Sequence, residues 1–118
     1  MIPEKGYHAT YRQFLNSIKR KGLGNTKKKM WSDSFSGVVY FANNPDVAES
    51  YAEEAEWIYQ RLNPDKYLDN IVILEIDISK LNKNKIFADR NVLLSPEDKN
   101  ATWEYHDIIP WEACKIYG

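Results

Sequence analysis

The sequence predicts an α+β domain. Three observations carry that expectation: two helical patterns fall early, most strand patterns fall late, and no repeated strand–helix–strand unit joins them. The opening strand is Gly6-Tyr7-His8-Ala9-Thr10. Thr10 then reads as the N-cap of a helix over 11–21, whose Tyr11, Phe14, Leu15 and Ile18 recur at spacings of three and four. Lys19, Arg20 and Lys21 complement the carbonyl end of that helix, and Gly22 can take the positive φ that stops it. Residues 23–36 read as loop. A β-branched and aromatic strand follows at 37–42. Asn43-Asn44-Pro45-Asp46 marks the start of a second helix, with an Asn cap, Pro at the first position and an acid in the first turn. That helix runs to about Leu62 before Asn63-Pro64, with Val47, Ala48, Tyr51, Ala52, Ala55, Ile58, Tyr59 and Leu62 as its inward stripe. Residues 71–78 form a strand with Val72, Leu74, Ile76 and Ile78 on one apolar face. Residues 79–101 read as irregular, with apolar pieces at Ile86-Phe87 and Val92-Leu93-Leu94. Strands at 103–109, closed by Pro110, and at 113–117 complete the chain.

At 118 residues this is one domain, 1–118, with four Trp, eight Tyr and four Phe to build its core, which excludes a disordered chain. A single cysteine, Cys114, excludes an internal disulfide and a multi-cysteine zinc site and fits a reducing, cytoplasmic setting. No apolar run approaches the ~20 residues of a membrane-spanning helix, so no membrane partner is expected, and Met1-Ile2-Pro3-Glu4-Lys5 lacks the pattern of a signal peptide. The net charge of −1 argues against a surface wholly built for nucleic acid. The charge is nonetheless polarised. Six bases and no acid lie from Lys19 to Lys29, and five acids and no base from Asp46 to Glu56. The acidic run reads as a solvated helix face, whereas Lys27, Lys28 and Lys29 sit in a loop that can meet a phosphate or an acidic partner.

Familiar cofactor motifs are absent: the chain holds no GxGxxG, no GxxxxGK[ST] and no HExxH. Glu104 and His106 would share one strand face, yet with one other His and one Cys in the chain no metal is expected. The informative residues are dispersed: His8 and Thr10 on the first strand, Tyr40 in Gly37-Val38-Val39-Tyr40-Phe41-Ala42, Tyr51 eleven residues later, and Glu104 in Glu104-Tyr105-His106-Asp107-Ile108-Ile109-Pro110. Taken in order, these resemble the H-Y-E branch of the ADP-ribosyltransferase superfamily, which includes diphtheria toxin and the poly(ADP-ribose) polymerases. The likeness covers roughly residues 6–59 and 100–117. Where the family has Gly after its His, this chain has Ala9, and its Glu-Tyr strand is two residues tighter before the Asp.

The resemblance implies a small split β-sheet core with two early helices and a reaction on NAD. Glu104 would stabilise positive charge on the ribose as the nicotinamide bond breaks and would orient the 2′-hydroxyl. Tyr40 and Tyr51 would clamp the flat cationic nicotinamide. His8, helped by the Thr10 hydroxyl, would bond the adenosine ribose, and the backbone of Ala9 would hold the carboxamide. Lys27, Lys28 or Lys29 would meet the pyrophosphate. The implied function is transfer of single ADP-ribose units to a macromolecule, a protein foremost, as compact bacterial or phage effectors of the family do. Arginine-directed relatives carry Glu or Gln two residues before the catalytic Glu, where this chain has Thr102. An NAD-dependent RNA 2′-phosphotransferase, with a nucleic acid met through Lys27–Lys29, and an inactive binding module of the same fold are the alternatives. Read singly, His8 is a strand histidine satisfied by a neighbour, Thr10 a cap, Tyr40 and Tyr51 core aromatics, and Glu104 a solvent-facing strand residue. Only their joint occurrence points to chemistry.

Overall fold

The computed structural model describes residues 2–24, 38–62, 64–65, 70–88 and 102–117. Among these, six strands form one antiparallel sheet. They are β1 (Lys5–Tyr11), β2 (Val39–Ala42), β3 (Ile71–Asp77), β4 (Ile86–Ala88), β5 (Thr102–Tyr105) and β6 (Cys114–Ile116), in the spatial order β4-β5-β2-β1-β3-β6. The helices are α1 (Leu15–Lys21) and α2 (Pro45–Leu62). The α+β class stands, as one antiparallel sheet with few helices. No helix among the described residues is long and apolar enough to cross a membrane.

β1 and β3 pair along their whole length, from Lys5 with Asp77 to Tyr11 with Ile71. The partners are apolar and β-branched where they face the core: Val72, Leu74 and Ile76 are buried. This pairing overturns Thr10 as a helix cap. Thr10 and Tyr11 remain in the strand opposite Val72 and Ile71, and the Arg12 amide continues the ladder to the Asn70 carbonyl at 3.0 Å. A 3₁₀ turn at Arg12–Phe14 intervenes before α1, whose N-cap position is held by Phe14. Gly22 does end α1, with φ +86° and its amide on the Ile18 carbonyl. The second helix begins as the sequence predicts, because the Asn44 side-chain oxygen accepts from the Val47 amide at 2.9 Å. It also ends at Leu62, yet Leu62 is exposed rather than inward, and so is Trp57.

One face of the sheet carries the core. Val39, Phe41, Leu74, Ile76, Trp103 and Tyr105 cluster there with Leu15, Ile18, Leu23 and Ile109. β1 passes so close to β2 that a Cβ on Gly6 would lie 2.6 Å from the Phe41 ring. The opposite face meets α2, where the Tyr11 hydroxyl donates to the Ala52 carbonyl at 2.8 Å. Two late elements differ from expectation. Ile86-Phe87 belongs to a three-residue strand, Ile86–Ala88, and the strand expected over 103–109 stops at Tyr105, with Ile109 bridging separately to Leu23.

Candidate active site

The join between β1 and β2 organises this region. Their pairing is confined to Tyr7 with Ala42, although both strands continue beyond it. At either end of the β1–β3 ladder, even-numbered β1-side residues make the bonds: Arg12 to Asn70, and Ile78 to Glu4. Backbone groups alternate sides in an antiparallel strand, so Gly6, His8 and Thr10 bond toward β3 while Tyr7 and Ala9 are aimed at β2. Tyr7 meets Ala42. Ala9, two residues on, lies past the end of that ladder, so its N–H and C=O are aimed into the gap where the strands part.

His8 bridges the same gap. Its Nδ1 lies 2.6 Å from the Tyr40 carbonyl oxygen, and since a carbonyl only accepts, Nδ1 carries the proton and donates. In the neutral ring this leaves Nε2 as an acceptor. Burial lowers the His8 pKa, the bond to Tyr40 working the other way, so the ring is held neutral. The bland reading of His8, a strand histidine satisfied by a neighbour, therefore describes one nitrogen and not the other.

From Tyr40 the site extends across β2, β5 and β4. Tyr40 stands opposite Glu104, and Glu104 opposite Phe87, so these three side chains line one face in a row. Glu104 is fully buried, contrary to its reading as a solvent-facing residue. Its Oε1 lies 2.8 Å from His106 Nε2, and the His106 ring packs on the Phe87 ring at a centroid distance of 4.5 Å. The His106 backbone amide is anchored on the Lys85 carbonyl at 2.9 Å. Beside it, Lys85 pairs with Asp107, which pulls the Asp107 carboxyl below and the Lys85 amine above their ordinary values.

The structure thus brings Tyr40 and Glu104 together directly and ties His8 to them through the Tyr40 carbonyl. Strand alternation sets His8 and Thr10 on the core face of β1 and the Tyr40–Glu104 row on the other, so His8 is tied to that row through the Tyr40 backbone and not side chain to side chain. Thr10 is buried. Tyr51 lies in α2, one residue before the Ala52 that meets Tyr11, but its side chain is outside the described residues, as are Lys27, Lys28 and Lys29. The Thr102 hydroxyl, on the Glu104 face, is buried with no hydrogen-bond partner among the described residues. Phe87 and the pairing of His106 were not anticipated as parts of a site. The i, i+2 spacing of Glu104 and His106 signalled the second, and nothing in the sequence signalled the first. Among the described residues no group of three or more His, Cys, Asp or Glu is placed to hold a metal. A separate open groove of about 850 Å³ runs along β3 and β6 past Glu75, Lys80 and Lys115 and includes none of the site residues. Cys114 lines that groove, and burial pushes its thiol up to about 11, too high for a thiolate nucleophile at neutral pH.

No protein-family model, curated protein or solved structure matches the chain. The functional reading therefore stands on the residues and their arrangement.

Proposed function

We propose that the chain is an NAD-dependent mono-ADP-ribosyltransferase of the H-Y-E type, releasing nicotinamide and passing ADP-ribose to a protein. The observation that supports this best is that His8 on β1 is bonded to the backbone of Tyr40 while Tyr40 stands beside Glu104 on β5, a chain of neighbours that joins residues 96 positions apart in the sequence. In this reading the nicotinamide lies against the Tyr40 ring, and its carboxamide exchanges hydrogen bonds with the Ala9 N–H and C=O. The His8 Nε2 accepts from a hydroxyl of the adenosine ribose. Breaking the ribose–nicotinamide bond leaves positive charge on the sugar, and the Glu104 carboxylate offsets it. Taken out of water, a carboxylate acts on such charge far more strongly than an exposed one. Because Glu104 is wholly covered in the free protein, the sugar must displace what covers it on binding.

The test is nicotinamide release from NAD⁺ by wild type and Glu104→Ala. Glu104→Ala is expected to lose two to three orders of magnitude or more in turnover, about 3–4 kcal/mol of barrier, while binding NAD nearly as well. Equal turnover by the two proteins removes Glu104 from its role. Absence of turnover in wild type, with or without protein acceptors, leaves the fold as a binding module.

A further inference from the structure

We infer that His106 is the general base of the transfer step and that the acceptor is a group that gives up a proton as it attacks, such as a protein hydroxyl. This rests on the reading of Glu104 given above. Glu104 is fully buried, but its hydrogen-bond partner His106 has a side chain one-third exposed, and Phe87 beside it is about half exposed. The pair therefore runs from a covered carboxylate to an imidazole that an incoming group can touch. With Nε2–H donating to Glu104 Oε1, the neutral ring presents Nδ1 as an unprotonated acceptor, and Nδ1 has no partner among the described residues. Phe87 packs against the ring and the His106 amide is fixed on the Lys85 carbonyl, so the imidazole is oriented from two sides. A carboxylate holding an imidazole by one nitrogen while the other takes a proton is a recurrent way to activate an oxygen nucleophile.

The bond from ribose C1′ to the nicotinamide nitrogen breaks, and its electron pair stays on nicotinamide, which leaves neutral. A lone pair of the acceptor hydroxyl forms the new C1′–O bond. The hydroxyl proton passes to His106 Nδ1 and then to water. Glu104 remains a carboxylate throughout, facing first the charged sugar and then the imidazolium. No oxidant or reductant takes part. A carboxylate acceptor would need no base, so a base poised here selects for a group that must lose a proton.

Azide separates this role from a structural one, because it attacks carbon without a proton to remove. NAD⁺ hydrolysis, with water as acceptor, is measured for wild type, His106→Gln and His106→Ala, each with and without excess sodium azide, and NAD affinity is measured on the same preparations. Both variants are expected to bind NAD as wild type does and to hydrolyse it about 100-fold more slowly. Azide should restore nicotinamide release in both and yield the azido-ADP-ribose adduct, with little effect on wild type. Hydrolysis at the wild-type rate in His106→Gln overturns the inference. A loss that azide does not restore also overturns it and makes His106 a support for Glu104 only. Wild type that releases no nicotinamide under any condition fails at the earlier step and overturns the transferase reading itself.

Discussion

Replacing His8 with Asn tests the junction on which the site depends. An Asn amide can put a donor near the position of Nδ1, so the Tyr40 carbonyl can keep a partner while the titrating ring is lost. His8 is neutral when folded because burial lowers its pKa below the ordinary 6.5. The unfolded chain therefore binds the proton more readily, and stability is fully present above about 6.5 and falls as the pH drops below it. If the folded ring stays unprotonated throughout, the linkage between pH 6.5 and 5.5 amounts to about 1 kcal/mol, and no single group can exceed about 1.4 kcal/mol per pH unit. Urea unfolding of both proteins at pH 7.5, 6.5 and 5.5 reads it directly. Wild type should lose about 1 kcal/mol more than His8→Asn over the lower interval. His8→Ala, which leaves the Tyr40 carbonyl without this donor, should cost about 1–3 kcal/mol at pH 7.5. Parallel pH profiles for wild type and His8→Asn would refute a neutral His8 held by Tyr40.

Two further outcomes concern the frame around the site. Lys115 lies 2.9 Å from the buried Glu75 carboxylate and, with Lys5, holds its pKa below the ordinary 4.5. That contribution is present above about 4.5 and is lost as the pH falls through the lowered value, so Lys115→Met should flatten the acid limb of a thermal-melt series between pH 5 and 3. Gly22 has φ +86° and ψ 165°, and a Cβ there would press on the Ile108 side chain, so Gly22→Ala should lower urea-unfolding stability by about 2 kcal/mol.

Much of the fold was legible because local signals agreed with tertiary demand. Asn44 and Pro45 start α2, Gly22 stops α1, and the apolar alternation of Val72, Leu74 and Ile76 marks the buried side of β3. The failures arise where a distant partner overrode the local signal. Thr10 has the chemistry of a cap, but Val72 opposite it keeps it in the sheet. Phe87 lies in a strand of three residues, too short to show a period, and that strand is held by its pairing with Trp103, Glu104 and Tyr105 of β5. Leu62 fits the helical stripe in spacing yet sits at the last turn of α2, where it is exposed.

The candidate site divides along similar lines. His8, Tyr40 and Glu104 could be singled out only in combination, and the structure supplies the physical link, a side chain on β1 bonded to the backbone of β2 opposite Glu104. The burial of Glu104 could not be read from Trp103-Glu104-Tyr105, since alternation alone assigns it to the face away from the core cluster. Its neighbour two residues on was visible as a pair of metal-ligand types. What the spacing could not tell is that His106 spends one nitrogen on the carboxylate, with Phe87 packed against its ring.

The most direct measurement is a titration of isotopically labelled protein with NAD⁺, followed through backbone amide chemical shifts. Binding as described moves the amides of Ala9, Tyr40 and Glu104 together, at one affinity, and leaves those of Lys80 and Lys115 in the β3–β6 groove in place. Shifts confined to that groove, or no shifts at all, would contradict the account.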